Sequence, residues 1–243
     1  MKNKRIIPAV IAGLFVCAAA LYASDSKTTG TLTVSITPGK YWKTKRGPQF
    51  AVWIEETDGT YVATLYVTQR AAEKNWLFAP GAGRPESLPV WYHAAGSRPV
   101  SMTPEQDKPG TDAVTSATPV TSDAIAYSVR LYAGEVYVVK VEVNHSFDYN
   151  ASWPEKAKKN STRYSGVNGQ PSVVYAATVN TRLRETETDD AAAPEHNGIR
   201  TELIPAGTGS VTGSDGALHN DLGLLTTALQ IIAKAEACWS PAE

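Results

Sequence analysis

Apolar and polar residues alternate with a period of two along most of the chain. Leu32, Val34 and Ile36 interleave with Thr31, Thr33, Ser35 and Thr37, as a strand with one buried and one wet face requires. Pro38-Gly39 ends that run. Phe50 to Ile54 and Tyr61 to Thr68 flank Asp58-Gly59, where glycine accepts the positive φ of a tight turn, so the pair is expected to form an antiparallel hairpin. Tyr127 to Tyr132 and Glu135 to Val143 repeat the design around Ala133-Gly134, with Tyr137, Val139, Val141 and Val143 on one face. Ser172 to Val179 and Thr201 to Ile204 bring the count to about seven strands, a number and spacing that predict a mostly β fold, an Ig-like antiparallel β-sandwich.

Two stretches depart from this rhythm. Between Pro80 and Pro119 lie seven of the chain's 15 prolines. Proline removes a ladder donor, so this stretch is expected to be a long excursion outside the central sheet, where a rigid frame often carries its functional groups. Near the end, Leu222, Leu225, Leu229 and Ile232 recur at three, four and three residues, which predicts an amphipathic helix over about residues 220–238 with Asn220 or Asp221 as its cap. No solenoid-length repeat and no splitting linker interrupts residues 25–243, which read as one domain.

The first residues read differently. Lys2, Lys4 and Arg5 precede an uncharged apolar run from Ile6 to Ala23 and then polar Ser24, Asp25 and Ser26, the order of an export signal over residues 1–24. Pro8, Gly13 and Ala18 to Ala20 favour cleavage over retention as an anchor, and Val16 is bulky for lipoprotein processing at Cys17. The expected location is the periplasm or another exported site in a bacterium, with membrane attachment only through an uncleaved signal. Removing the three signal cations from 23 basic residues leaves them outnumbered by the 24 acidic ones, so the mature chain has no electrostatic reason to bind nucleic acid. Lys156, Lys158, Lys159 and Arg163 form a local basic stretch, read as a solvated loop. Only Cys238 remains after cleavage, which rules out an internal disulfide and suggests a small apolar filler at the end of the helix.

The sharpest chemical signal is Asp112-Ala-Val-Thr-Ser-Ala-Thr118, followed by Pro119. It resembles the Asp-x-x-(Ser/Thr)-Gly-Ala-Thr pattern of bacterial envelope flavoproteins, in which a flavin transferase links FMN through its phosphate to the last threonine. That resemblance makes Thr118 the acceptor, with Asp112, Thr115 and Ser116 around it; Ser116 stands where the pattern has glycine. The chemistry needs a hydroxyl on an accessible loop and small neighbours that let the phosphate approach.

A broader resemblance covers roughly residues 30 to 180. The run from Phe50 to Val67, the Asp112 to Pro119 motif and Val141-Glu-Val-Asn-His-Ser-Phe-Asp-Tyr149 are similar to the periplasmic proteins of domain-of-unknown-function family 2271. The resemblance implies an Ig-like β domain in a redox setting, often beside flavin-transfer and electron-transfer proteins, and implies no particular reaction.

Two further groups invite ligand-binding readings. Trp91, Tyr92 and His93 sit in the proline-rich excursion, where aromatic rings line pockets or anchor loops. His145 and Asp148 bunch with polar neighbours at a strand end and can orient one another. The four histidines, at 93, 145, 196 and 219, have no metal-ligand spacing, so no metal centre is expected. The sequons at Asn144, Asn150 and Asn160 carry little weight in a bacterial envelope, and the glycine-rich run from Gly207 to Gly216 lacks phosphate-loop spacing. Nucleophile elbows, zinc helices and nucleotide fingerprints are missing from the sequence. The expectation is a noncatalytic accessory or carrier domain of a flavin-linked envelope system, with FMN as cofactor and a flavin transferase or envelope redox protein as partner. The alternative is a carbohydrate-binding or surface-interaction module, motivated by six Trp and 11 Tyr on an exported β-rich chain.

Overall fold

The computed structural model describes residues 28–42, 47–72, 84–96, 114–119, 121–161, 163–182 and 199–242. The expected signal over residues 1–24, Trp76, Asp112 and His196 lie outside them. Ten strands run in chain order: β1 (Thr29–Pro38), β2 (Gln49–Glu56), β3 (Tyr61–Thr68), β4 (Val114–Ser116), β5 (Ile125–Tyr132), β6 (Val136–Asn144), β7 (Val173–Asn180), β8 (Ile199–Glu202), β9 (Ile204–Thr208) and β10 (Ile232–Pro241). The helices are short: α1 (Gln69–Ala72), α2 (Pro89–Ala94) and two 3₁₀ turns at Leu222–Leu224 and Ala228–Gln230.

The strands form two sheets, ordered β5-β1-β10-β8 and β4-β3-β2-β6-β7-β9. All pairings are antiparallel except the short edge contact of β4 with β3, which is parallel. The inner faces share one apolar core. Leu32, Val34, Ile36, Ala235, Ala237 and Trp239 come from the first sheet and Phe50, Val52, Ile54, Val139, Val141 and Val143 from the second. Each Leu, Ile or Val fully removed from water contributes about 1.5–3 kcal/mol, so this sandwich-like core is the main stabilising element. A smaller cluster of Ala51, Trp53, Val67, Leu88, Val90, Trp91 and Val174 lies on the other face of the six-stranded sheet, where α2 and the residues before it form a partial third layer. The described part of the proline-rich excursion therefore packs onto the sheet rather than entering its centre, and contributes only the edge strand β4.

Three expectations need correction. Glu135 to Val143 does not fold back on Tyr127 to Tyr132: β5 pairs with β1, while β6 pairs with β2 and β7. The Ala133-Gly134 turn instead carries the chain from one sheet to the other. It is held by buried Thr181, whose Oγ1 donates to Tyr132 O (3.1 Å) or Glu135 O (2.9 Å) and accepts from Glu135 N (3.0 Å). Thr201 to Ile204 is not one strand, because β8 pairs with β10 and β9 with β7; Leu203, buried between them, donates its N–H to Ala235 O at 2.9 Å. The helix expected over residues 220–238 is absent. Two 3₁₀ turns lead into β10, which lies between β1 and β8 at the centre of its sheet. Cys238 is accordingly a half-buried strand residue between buried Ala237 and Trp239, not a helix terminus.

One end of the sandwich gathers Pro38, Gln49, Thr68, Asn144, Val173 and Ile232; the opposite end holds Thr29, Tyr132, Asn180 and Pro241. Thr115, Ser116 and Thr118 lie at the first of these ends, as do His145 and Asp148 after β6.

Candidate functional site

Thr118 sits just beyond β4, partly buried, and its Oγ1 donates to Pro48 O at 2.7 Å. Gly47, at φ 28, passes so close that a Cβ there would lie 3.2 Å from the Thr118 methyl group. The indole of buried Trp42 donates to Pro119 O at 2.9 Å, pinning the following residue. On the other side, the Tyr66 hydroxyl reaches Ser116 O at 3.1 Å and Ala117 O at 3.3 Å. Ser116 is exposed, with Oγ 3.3 Å from Tyr66 Oη. Its backbone φ is not positive, since Phe147 is the one non-glycine residue with positive φ among the described residues. Serine in the glycine position therefore costs no left-handed strain. Thr115 has its backbone aligned with Val67 of β3.

Behind this loop stand four aromatic rings. Trp42 meets Phe50 at 5.1 Å between centroids, Phe50 stacks on Tyr66 at 4.6 Å, and Tyr66 stacks on Tyr127 at 4.3 Å. Burial holds both tyrosine hydroxyls above their ordinary range, and in Tyr127 the neighbouring Tyr66 adds to the effect. Both phenols are therefore neutral at physiological pH.

The same end carries the polar corner after β6. Asp148 Oδ1 accepts a short hydrogen bond from Thr227 Oγ1, and its backbone bridges Asn168 and Gln170. His145 Nδ1 lies 2.9 Å from Ser146 O. Buried Gln170 ties the corner together: its Oε1 accepts from Thr226 N at 2.6 Å and its Nε2 donates to Thr227 Oγ1 at 2.6 Å. Among the described residues the buried carboxamide oxygens of Asn144 and Asn168 have no hydrogen-bond partner here, which is uncommon for buried polar atoms. The corner connects to the Thr118 loop through the turn after β1, where Gly39 N and Tyr41 N donate to Ile231 O and Gln230 O at 2.7 and 3.2 Å. Among the described residues no group of three or more His, Cys, Asp or Glu is placed to hold a metal ion.

Trp91, Tyr92 and His93 belong to α2 on the outer face of the six-stranded sheet, and the segment just before α2 reaches the corner, where Asn168 Nδ2 donates to Glu86 O at 2.5 Å. Trp91 is buried and its Nε1 donates to Thr64 Oγ1 at 2.9 Å; Tyr92 is half-buried; His93 is exposed with Nε2 3.1 Å from Gly213 O. Beneath α2 is Glu142, a residue the sequence reading passed over. Its carboxylate is fully buried and accepts from Trp91 N at 2.8 Å, Val90 N at 3.3 Å and Ser172 Oγ at 2.6 Å. Burial pushes its carboxyl up to about 7, against the opposing pull of those hydrogen bonds and of Lys140. Its alternation in β6 marks it as outward-facing, and no local signal announces that α2 covers it. Trp42, Tyr66 and Gln170 were missed for the same reason, since their roles depend on partners far away in sequence.

No family model, curated protein or solved structure matches the chain.

Proposed function

We propose that this is an exported, noncatalytic domain of Ig-like type, cleaved after its signal and acting in the periplasm as a carrier in a flavin-linked redox system, with FMN esterified to Thr118. The observation that carries this reading is the Asp112 to Thr118 pattern together with the position of Thr118. The acceptor hydroxyl leaves an edge strand at one end of the sandwich, with small Ala117 before it and Gly47 beside it. In the linking step Thr118 Oγ1 would form a bond to the flavin nucleotide's phosphorus. The donor's P–O bond breaks, its leaving group departs with the electron pair, and the threonine proton passes to a base of the transferase. Bound FMN supplies the electron-transfer chemistry. This chain contributes the attachment point, the rigid support of Trp42 and Tyr66 on either side, and an end of the fold open to an envelope redox partner. The likeness to family 2271 is in keeping with that setting.

The expected result of co-expression with a flavin transferase is a mass gain equal to FMN less water on the peptide containing Thr118, with flavin absorbance. Both are lost in Thr118→Val. An unmodified Thr118 in the presence of an active transferase sinks the carrier reading. The carbohydrate-binding alternative has less support, because Trp42, Trp53, Trp91, Trp153 and Trp239 are all buried, whereas sugar platforms need exposed rings.

A further inference from the structure

The hydroxyl that would take the flavin phosphate is committed to a hydrogen bond in the unmodified chain. Thr118 Oγ1 donates to Pro48 O at 2.7 Å, the length of a full O–H···O bond. Esterification removes the shared proton. Oγ1 exchanges its O–H bond for an O–P bond, and the proton goes to a base of the transferase. The flavin dinucleotide that supplies the phosphorus loses the P–O bond of its anhydride, and the leaving nucleotide keeps the electron pair. Two lone-pair oxygens then face each other with the phosphate's negative charge beside them, so the contact has to part.

The main chain on either side has little room to yield. Gln49, which follows Pro48, is paired with Asn144 of β6, and its Oε1 accepts from Thr68 Oγ1 at 2.9 Å. After Thr118, Pro119 O is held by the Trp42 indole at 2.9 Å; before it, the Tyr66 hydroxyl reaches Ser116 O and Ala117 O. The adjustment therefore falls on the Thr118 side chain, which has staggered alternatives. Turning it one way puts the methyl group against Pro48 O. Turning it the other way puts the Cβ hydrogen there and brings Oγ1 to the place of the methyl. That place faces Gly47, where an added Cβ would lie 3.2 Å from both Cβ and Cγ2 of Thr118. From there the phosphate leaves past residue 47, through space that exists because this residue has no side chain.

We propose that Gly47 is the specificity-determining residue of the Thr118 site: its bare Cα supplies the passage for a phosphodiester on Thr118 Oγ1 once the bond to Pro48 O is given up. The inference rests on the reading that Thr118 carries FMN, and it adds to that site a residue, remote in sequence, that admits the adduct.

In the test, the full chain is incubated with an active flavin transferase and the flavin dinucleotide, and FMN incorporation is timed by intact mass in the wild type, Gly47→Ala and Gly47→Asn. Asparagine accepts a left-handed backbone more readily than alanine but carries a Cβ, so the two variants separate backbone strain at φ 28 from bulk. Both should take up FMN at least about tenfold more slowly than the wild type, as a misplaced reacting group requires, while Gly47→Asn keeps the wild-type thermal midpoint. Uptake at the wild-type rate in either variant overturns the inference. So does slow uptake accompanied by a lowered midpoint in Gly47→Asn, which assigns the glycine to the fold. A wild type that stays unmodified sinks the carrier reading itself, an outcome distinct from the other two.

Discussion

Replacing Glu142 by Gln removes a titration from a fully buried polar position and leaves its shape almost unchanged. In the wild type the carboxyl moves from its ordinary 4.5 in the unfolded chain to about 7 in the fold. A raised carboxyl means that folding favours the protonated form. The stability contributed this way is fully present below about pH 4.5, erodes as pH rises through about 7, and is gone above it. At about 1.4 kcal/mol per pH unit, the shift corresponds to roughly 3 kcal/mol of pH-dependent stability. Urea denaturation followed by tryptophan fluorescence at intervals from pH 4.5 to 8.5 measures it in both proteins. The wild type should lose roughly 3 kcal/mol relative to Glu142→Gln across that window, because the amide keeps one acceptor for the α2 N–H groups but cannot ionise. Hydrogen exchange at the Val90 and Trp91 amides, which the carboxylate accepts, reports the same change locally. A stability difference that stays constant with pH would refute the assignment of the raised titration to Glu142 and the burial argument behind it.

Gly169 has φ 79, and a Cβ on it would lie 2.3 Å from Asp148 O; Gly169→Ala should cost at least about 2 kcal/mol, measured by chemical denaturation. Trp42→Phe keeps most of the ring contact with Phe50 but deletes the 2.9 Å bond to Pro119 O. It should cost about 1 kcal/mol and speed hydrogen exchange at Ala117 and Thr118 more than in β6; equal exchange at both places would show that the indole does not hold the loop.

The strands legible in the sequence are those whose apolar faces meet the shared core, such as Leu32, Val34 and Ile36 or Val139, Val141 and Val143, because a period of two records a buried face directly. Pairing is another matter. The glycine turns after β2 and β5 look alike, but Gly59 closes a hairpin while Gly134 donates to Thr181 O at 3.0 Å and sends the chain across to the other sheet. That difference resides in Thr181, which no local pattern connects to the turn. The C-terminal helix failed because Leu222, Leu225, Leu229 and Ile232 satisfy a helical spacing by coincidence. The strand signal of β10 is written largely in alanine, where Ala235 and Ala237 are buried beside Trp239, and alanine favours neither period. At the candidate site, Thr118 and Asp148 stood out as local motifs. Glu142, Trp42 and Gln170 did not, since each acts through a contact with a distant segment.

The placement of β10 between β1 and β8 has a consequence for the order of assembly. Leu32 pairs with Trp239 and Thr33 with Cys238, partners almost a whole chain length apart. The first strand to emerge in synthesis therefore has to wait for the last before its sheet can close, and long-range pairing of this kind is slow to form. A nascent chain lacking Ile232 to Pro241 would leave β1 and β8 with no strand between them. The four-stranded sheet of such a polypeptide stays incomplete until β10 is available to join β1 to β8.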